Sequence, residues 1–120
     1  MKKILIVDDE PNIVMSLEYT FKKNNYEVFI ARDGQEALDI LKTNFPDVII
    51  LDIMMPTVDG FATLEHIRKD DNLKHTKVLF LSAKNKASDI EKGLALGADA
   101  YMTKPFSIKK VVEQISDLLV

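Results

Sequence analysis

Five short apolar runs, each followed by a segment of helical period, recur from one end of the chain to the other. They are Lys3–Val7 (KILIV), Val28–Ala31 (VFIA), Val48–Leu51 (VIIL), Val78–Leu81 (VLFL) and the weaker Ala98–Met102 (ADAYM). These runs are continuous rather than alternating, which is the pattern of strands covered on both faces in a parallel sheet. Between them lie apolar stripes at helical spacing. Ile13, Val14, Leu17 and Phe21 follow Pro11, a residue suited to a first helical turn. Asp33-Gly-Gln-Glu36 reads as a capping box ahead of Ala37, Leu38 and Leu41. Phe61, Leu64 and Ile67 form a third stripe, and Ala87, Ile90 and Leu94 a fourth that Gly97 stops. Ile108, Val111, Val112, Ile115 and Leu118 form the last. A β-α unit repeated five times predicts an α/β doubly wound fold: a five-stranded parallel sheet, right-handed crossovers and helices on both faces.

At 120 residues the chain is expected to form one domain over 1–120, with no linker or low-complexity stretch dividing it. A net charge of −3 argues against direct nucleic-acid binding. The charge is uneven: Met1–Gly60 holds 11 acids and 6 bases, Phe61–Val120 holds 8 acids and 10 bases. That asymmetry fits an acidic site built mainly from the first half. There is no cysteine, so thiolate metal ligands are excluded, and a reducing cytoplasm is the expected location. No apolar run approaches the roughly 20 residues that span a bilayer.

In such folds ligands bind beyond the carboxyl ends of the strands, where the strand order reverses. The residues at those ends are Asp8, Asp9 and Glu10, then Asp52, Ser82 and Lys104-Pro105. The second strand ends in Ala31-Arg32-Asp33, which is turn and cap chemistry. Two carboxylates about 4 Å apart repel by roughly 4 kcal/mol at an effective dielectric near 20. That is enough to raise a pKa or to recruit a cation. With oxygen donors only, the natural cation is Mg²⁺. A carboxylate beside Mg²⁺, a lysine and a hydroxyl has the parts of a phosphoryl acceptor: Asp52 attacks in line while the cations and Ser82 steady the equatorial oxygens. Of the three leading acids, Glu10 is the one expected to do no more than cap a helix start. Gly60 is read as a close approach of backbone, and His66 and His75 as surface residues.

The stretches ILIVDDE, VIILDIMMPTVDG, VLFLSA and GADAYMTKPF, in this order on five β-α units, resemble the receiver domain of two-component response regulators. The resemblance covers nearly the whole chain. It implies a flavodoxin-like fold in which Asp52 accepts phosphate from a histidine kinase or phosphotransfer protein. It implies that Asp8 and Asp9, with Asp52 and the backbone carbonyl of Met54, hold Mg²⁺, and that Ser82 and Lys104 contact the phosphoryl group. It further implies a switch in which Ser82 shifts, Tyr101 turns inward, and the fourth helix, fifth strand and fifth helix change partner. A cis Lys104-Pro105 bond is expected on the same ground, as is an output domain or separate protein partner. So are a monomer or a phosphorylation-dependent dimer, and self-directed phosphorylation chemistry rather than an enzyme's turnover. The last helix carries Lys109 and Lys110 in place of the arginine-rich pattern of the dimerising transcription-factor branch. Two other classes carry features that this chain does not match. A haloacid-dehalogenase-type hydrolase places its nucleophile after the first strand in a D-x-D motif, whereas Met54 stands two residues after Asp52. An interaction module that is never phosphorylated generally loses part of the acid–lysine set, which this chain keeps whole.

Overall fold

The computed structural model describes residues 1–120. The strands are β1 (Lys3–Val7), β2 (Glu27–Ala31), β3 (Val48–Leu51), β4 (Lys77–Ser82) and β5 (Ala100–Thr103). They alternate with α1 (Pro11–Lys23), α2 (Gly34–Ile40), α3 (Gly60–Lys69), α4 (Ala87–Ala95) and α5 (Ile108–Leu118). All pairings are parallel and the strand order is β2-β1-β3-β4-β5. The chain therefore steps outward from β1 to β2 and then reverses to the other side of β1. The reversal falls between β1 and β3, and the crevice for a ligand opens at their carboxyl ends.

Strand geometry explains the two-sided core, because successive side chains point to opposite faces. Leu5, Val7, Ile49, Leu51, Val78 and Phe80 line one face, under α2 and α3. Ile4, Ile6, Val48, Ile50, Leu79 and Leu81 line the other, where Leu17 and Phe21 of α1 and Val111 and Ile115 of α5 cover them. Every residue of β3 is buried, so the strand that leads to Asp52 is held from both sides.

Local chemistry shifts several boundaries from the sequence expectation. Strand β5 starts two residues later than expected. Gly97, at φ +108, and Asp99 still belong to the preceding turn, where the Asp99 carboxylate accepts from the Val78 N–H and from Arg68. Strand β4 runs one residue further, so Ser82 closes the strand instead of following it. Asp33 caps α2 by accepting from the Glu36 N–H, but Glu36 reaches back to the N–H of Arg32, one residue earlier than in a capping box. The stripe expected on α4 is not the buried one. Ala87 and Leu94 are exposed and Gly93 is buried. A Cβ at Gly93 would lie 3.0 Å from the Phe80 ring and 3.1 Å from the Tyr101 ring, so at this position the helix backbone lies close to the sheet.

Candidate functional site: an acidic pocket around one lysine

Three backbone bonds carry the sheet ladder past its strands and bring the site together. The Asp8 N–H donates to Ala31 O, the Asp52 N–H to Val7 O, and the Lys104 N–H to Ser82 O. Asp8, Asp52, Ser82 and Lys104 thus stand on adjacent strand ends. Asp8 and Asp52 are almost fully buried, at 1% and 4% exposure, and Ser82 is completely buried. The loop after Asp52 turns back at Gly60, whose N–H bonds Ile53 O. A Cβ there would sit 2.3 Å from Asp52 O, so the position demands glycine and the expected close approach is present. Thr57 in the same loop adopts φ +66, a left-handed conformation that nothing in its type suggests. The Lys104-Pro105 bond is cis.

At the centre is the Lys104 ammonium. It lies 2.9 Å from Glu10 Oε1, 3.0 Å from Asp8 Oδ2 and 3.3 Å from Asp52 Oδ2. Each buried acid is also fixed by a backbone donor: the Glu10 N–H gives to Asp8 Oδ1 at 2.9 Å, and the Ile53 N–H to Asp52 Oδ1 at 2.7 Å. Burial raises the Asp8 pKa above the ordinary aspartate value, and Asp52 adds to the rise, while the Glu10 N–H and Lys104 oppose it. For Lys104, burial disfavours the charged form, but the bonds to Glu10 and Asp8 and the field of Asp52 outweigh it and push its pKa up. The ammonium stays protonated.

Glu10 corrects the sequence expectation. Its side chain makes no capping bond to α1 and turns to Lys104 instead. Asp8, Glu10 and Asp52 each offer an oxygen within 4.8 Å of the other two. Asp9 lies outside this trio; it is exposed and faces a groove with Pro11, Val14 and Arg32. The trio's donors are all carboxylate oxygens and two of the three are buried, which suits a hard divalent cation. The elevated Asp8 pKa marks a carboxylate that such a cation would relieve. Met54 is exposed in the loop directly after the acidic strand end.

The Ser82 hydroxyl accepts from the Lys84 N–H at 3.2 Å, and a hydroxyl that accepts keeps its own proton as a donor; its interaction with the Tyr101 hydroxyl opposes the rise in the Tyr101 pKa. The Tyr101 ring lies against Phe80, with centroids 5.8 Å apart, and its hydroxyl donates to Lys84 O at 2.7 Å. Ser82 and Tyr101 therefore hold the same short loop between β4 and α4. Burial raises the Tyr101 pKa, with help from Asp89 and Asp52. His66 and His75 are exposed, as expected.

The family model for the response regulator receiver domain matches residues 4–116. The chain belongs to the response regulator receiver family. Its acidic pocket of Asp8, Glu10 and Asp52 is the phosphoacceptor pocket of such a domain. A curated relative is the alkaline phosphatase synthesis transcriptional regulatory protein PhoP of Bacillus subtilis, 43% identical over 98% of this chain and 48% of its own length. The chain thus spans about half the length of the curated relatives it matches. Among solved structures, a Francisella response regulator receiver domain superposes with a TM-score of 0.91 at 38% identity, covering 99% of this chain and 97% of that one. The receiver domain of a sensor histidine kinase from Pseudomonas aeruginosa, described with a magnesium ion coordinated in its active-site cleft, gives 0.89 at 25% identity, covering 98% and 97%. The receiver domain has no helix long and apolar enough to cross a membrane.

Proposed function

We propose that Asp52 accepts a phosphoryl group from the phosphohistidine of a sensor histidine kinase or phosphotransfer protein, in a Mg²⁺-dependent step. The observation that carries this reading is the Lys104 ammonium bound within 3.3 Å of Asp8, Glu10 and Asp52 at once. Such an arrangement sets a fixed cation beside the buried carboxylate that would carry the phosphoryl group, where charge builds up during transfer. Asp8, Asp52 and the Met54 carbonyl would hold the metal, joined by Asp9 as the acid that the family resemblance adds. When bound, the ion supplies neutralisation of charge on the phosphoryl oxygens. Lys104 and the Ser82 hydroxyl do the same from the protein side. The rigid post of β3, buried along its whole length, holds Asp52 in position for in-line attack.

Phosphorylation pulls Ser82 towards the new oxygens, and the loop that Ser82 shares with Tyr101 passes this shift to α4, β5 and α5. That face is read as the contact with an output domain or protein partner. The domain acts on itself in the cytoplasm, as a monomer or a phosphorylation-dependent dimer, and turns over no external substrate. Residues 1–120 are read as one receiver domain, and the name of the Bacillus relative suggests transcription as its output. A stoichiometry assay tests the proposal. A small phosphoryl donor with Mg²⁺ is expected to load one phosphoryl group per chain and stop. Sustained hydrolysis of simple phosphate esters would instead favour a phosphatase.

A further inference from the structure

An ammonium group has three protons and no more. Lys104 meets three carboxylate oxygens: it donates hydrogen bonds to Glu10 and Asp52 and forms an ion pair with Asp8 at 3.0 Å, so its protons are already shared among acids. A phosphoryl group on Asp52 brings further anionic oxygens to the same ammonium in competition with the carboxylates already there, and these are not equally fixed. Asp8 is buried and its second oxygen is held by the Glu10 N–H. Asp52 is buried and its second oxygen is held by the Ile53 N–H. The Glu10 carboxylate has no bond other than that to Lys104, and its side chain is 57% exposed. Water can take over its solvation at little cost, as for any exposed ion pair.

We infer that Glu10 is an exchangeable placeholder: its carboxylate occupies one proton of Lys104 in the unphosphorylated domain and yields it to an incoming phosphoryl oxygen. Glu10 is thus a positioning residue that competes with the phosphoryl group for the lysine. It keeps Lys104 aimed at the pocket before phosphorylation and lowers the affinity of the pocket for a tetrahedral anion on Asp52. This rests on the assignment of Asp52 as acceptor. Replacement of Glu10 removes the competitor without touching the two buried acids.

The experiment uses the whole 120-residue chain and beryllofluoride as probe, added at saturating Mg²⁺, with wild type, Glu10→Gln, Glu10→Ala and Asp52→Asn compared. Beryllofluoride is expected to bind Glu10→Gln and Glu10→Ala about two- to fivefold more tightly than wild type, the range an exposed ion pair contributes. The second readout is the ¹⁵N shift of the Lys104 ammonium. It is expected to differ between wild type and Glu10→Gln in the metal-free domain and to coincide once beryllofluoride is bound, because Glu10 has by then left. Equal or weaker binding by both variants overturns the placeholder. So does a Lys104 shift that still differs in the loaded state. A tenfold or greater loss of Mg²⁺ affinity in Glu10→Gln also overturns it, since Glu10 would then be a metal ligand. Beryllofluoride binding to Asp52→Asn as tightly as to wild type brings down the acceptor assignment, and this inference with it.

Discussion

Replacing Lys104 with methionine keeps most of the side-chain volume and removes the only cation among three carboxylates. The Asp8 and Asp52 oxygens lie within 4.8 Å of each other, so their repulsion is at least about 3.5 kcal/mol at an effective dielectric near 20. Glu10 adds little, because at 57% exposure it can turn into water. Breaking a buried ion pair by deleting one partner costs roughly 3–5 kcal/mol once desolvation is counted, in line with that repulsion. For a domain whose whole stability is about 5–15 kcal/mol, this is a large share. Two remedies follow from the same physics. Protonation relieves the pair, and in the variant the Asp8 pKa rises further above its ordinary 3.8. A group with a raised native pKa contributes stability that is present below its unfolded value and lost as pH rises through its folded value. The variant is therefore expected to lose stability relative to wild type as pH rises from about 4 towards neutrality. A divalent cation is the second remedy, so Mg²⁺ should raise the urea midpoint of Lys104→Met by more than that of wild type. Urea titrations followed by circular dichroism, with and without Mg²⁺ across this pH range, measure all three effects. A metal-free Lys104→Met domain with the wild-type midpoint at every pH would refute the reasoning, because the lysine would then not be neutralising a strained pocket.

Asp8→Asn should stabilise the metal-free domain at neutral pH, since the raised pKa of Asp8 means its charge opposes folding there, and should weaken Mg²⁺ binding; thermal melts with and without metal check both. Gly60→Ala drives a Cβ into the backbone of Asp52 and Ile53 and should destabilise the fold by about 1–3 kcal/mol, readable by chemical denaturation. Tyr26, Tyr101 and Lys104 all have raised pKa values, so their contributions are whole below about pH 10 and are lost together above it. An alkaline unfolding titration should show a steep fall in stability there, made shallower by Tyr26→Phe.

The acidic strand ends were legible in the sequence for a simple reason. An apolar run such as Val48–Leu51 that stops on a carboxylate marks both the strand and the rim, and the order of such runs fixes which ends meet. Asp8, Asp52, Ser82 and Lys104 follow from that logic, and the structure brings them together. Glu10 does not. Its bond to Lys104 joins positions 94 residues apart and depends on which way an exposed side chain turns, which no local pattern encodes. The buried face of α4 departs from its apolar stripe because hydrophobicity reports what a residue carries, not how much room it has. Gly93 is buried because Phe80 and Tyr101 leave no space, while the apolar Leu94 next to it stays in solvent. Likewise, the late start of β5 depends on Arg68, which reaches across from α3 to the carbonyl of Gly97 and the carboxylate of Asp99.

The most direct test is to locate the phosphoryl group. The domain is incubated with acetyl phosphate, the acyl phosphate is trapped by borohydride reduction, and the modified residue is mapped by tandem mass spectrometry. Modification at Asp52 alone, dependent on Mg²⁺ and absent from Asp52→Asn, is the predicted result. A label carried by any other residue, or an Asp52→Asn domain modified to the wild-type extent, would contradict it.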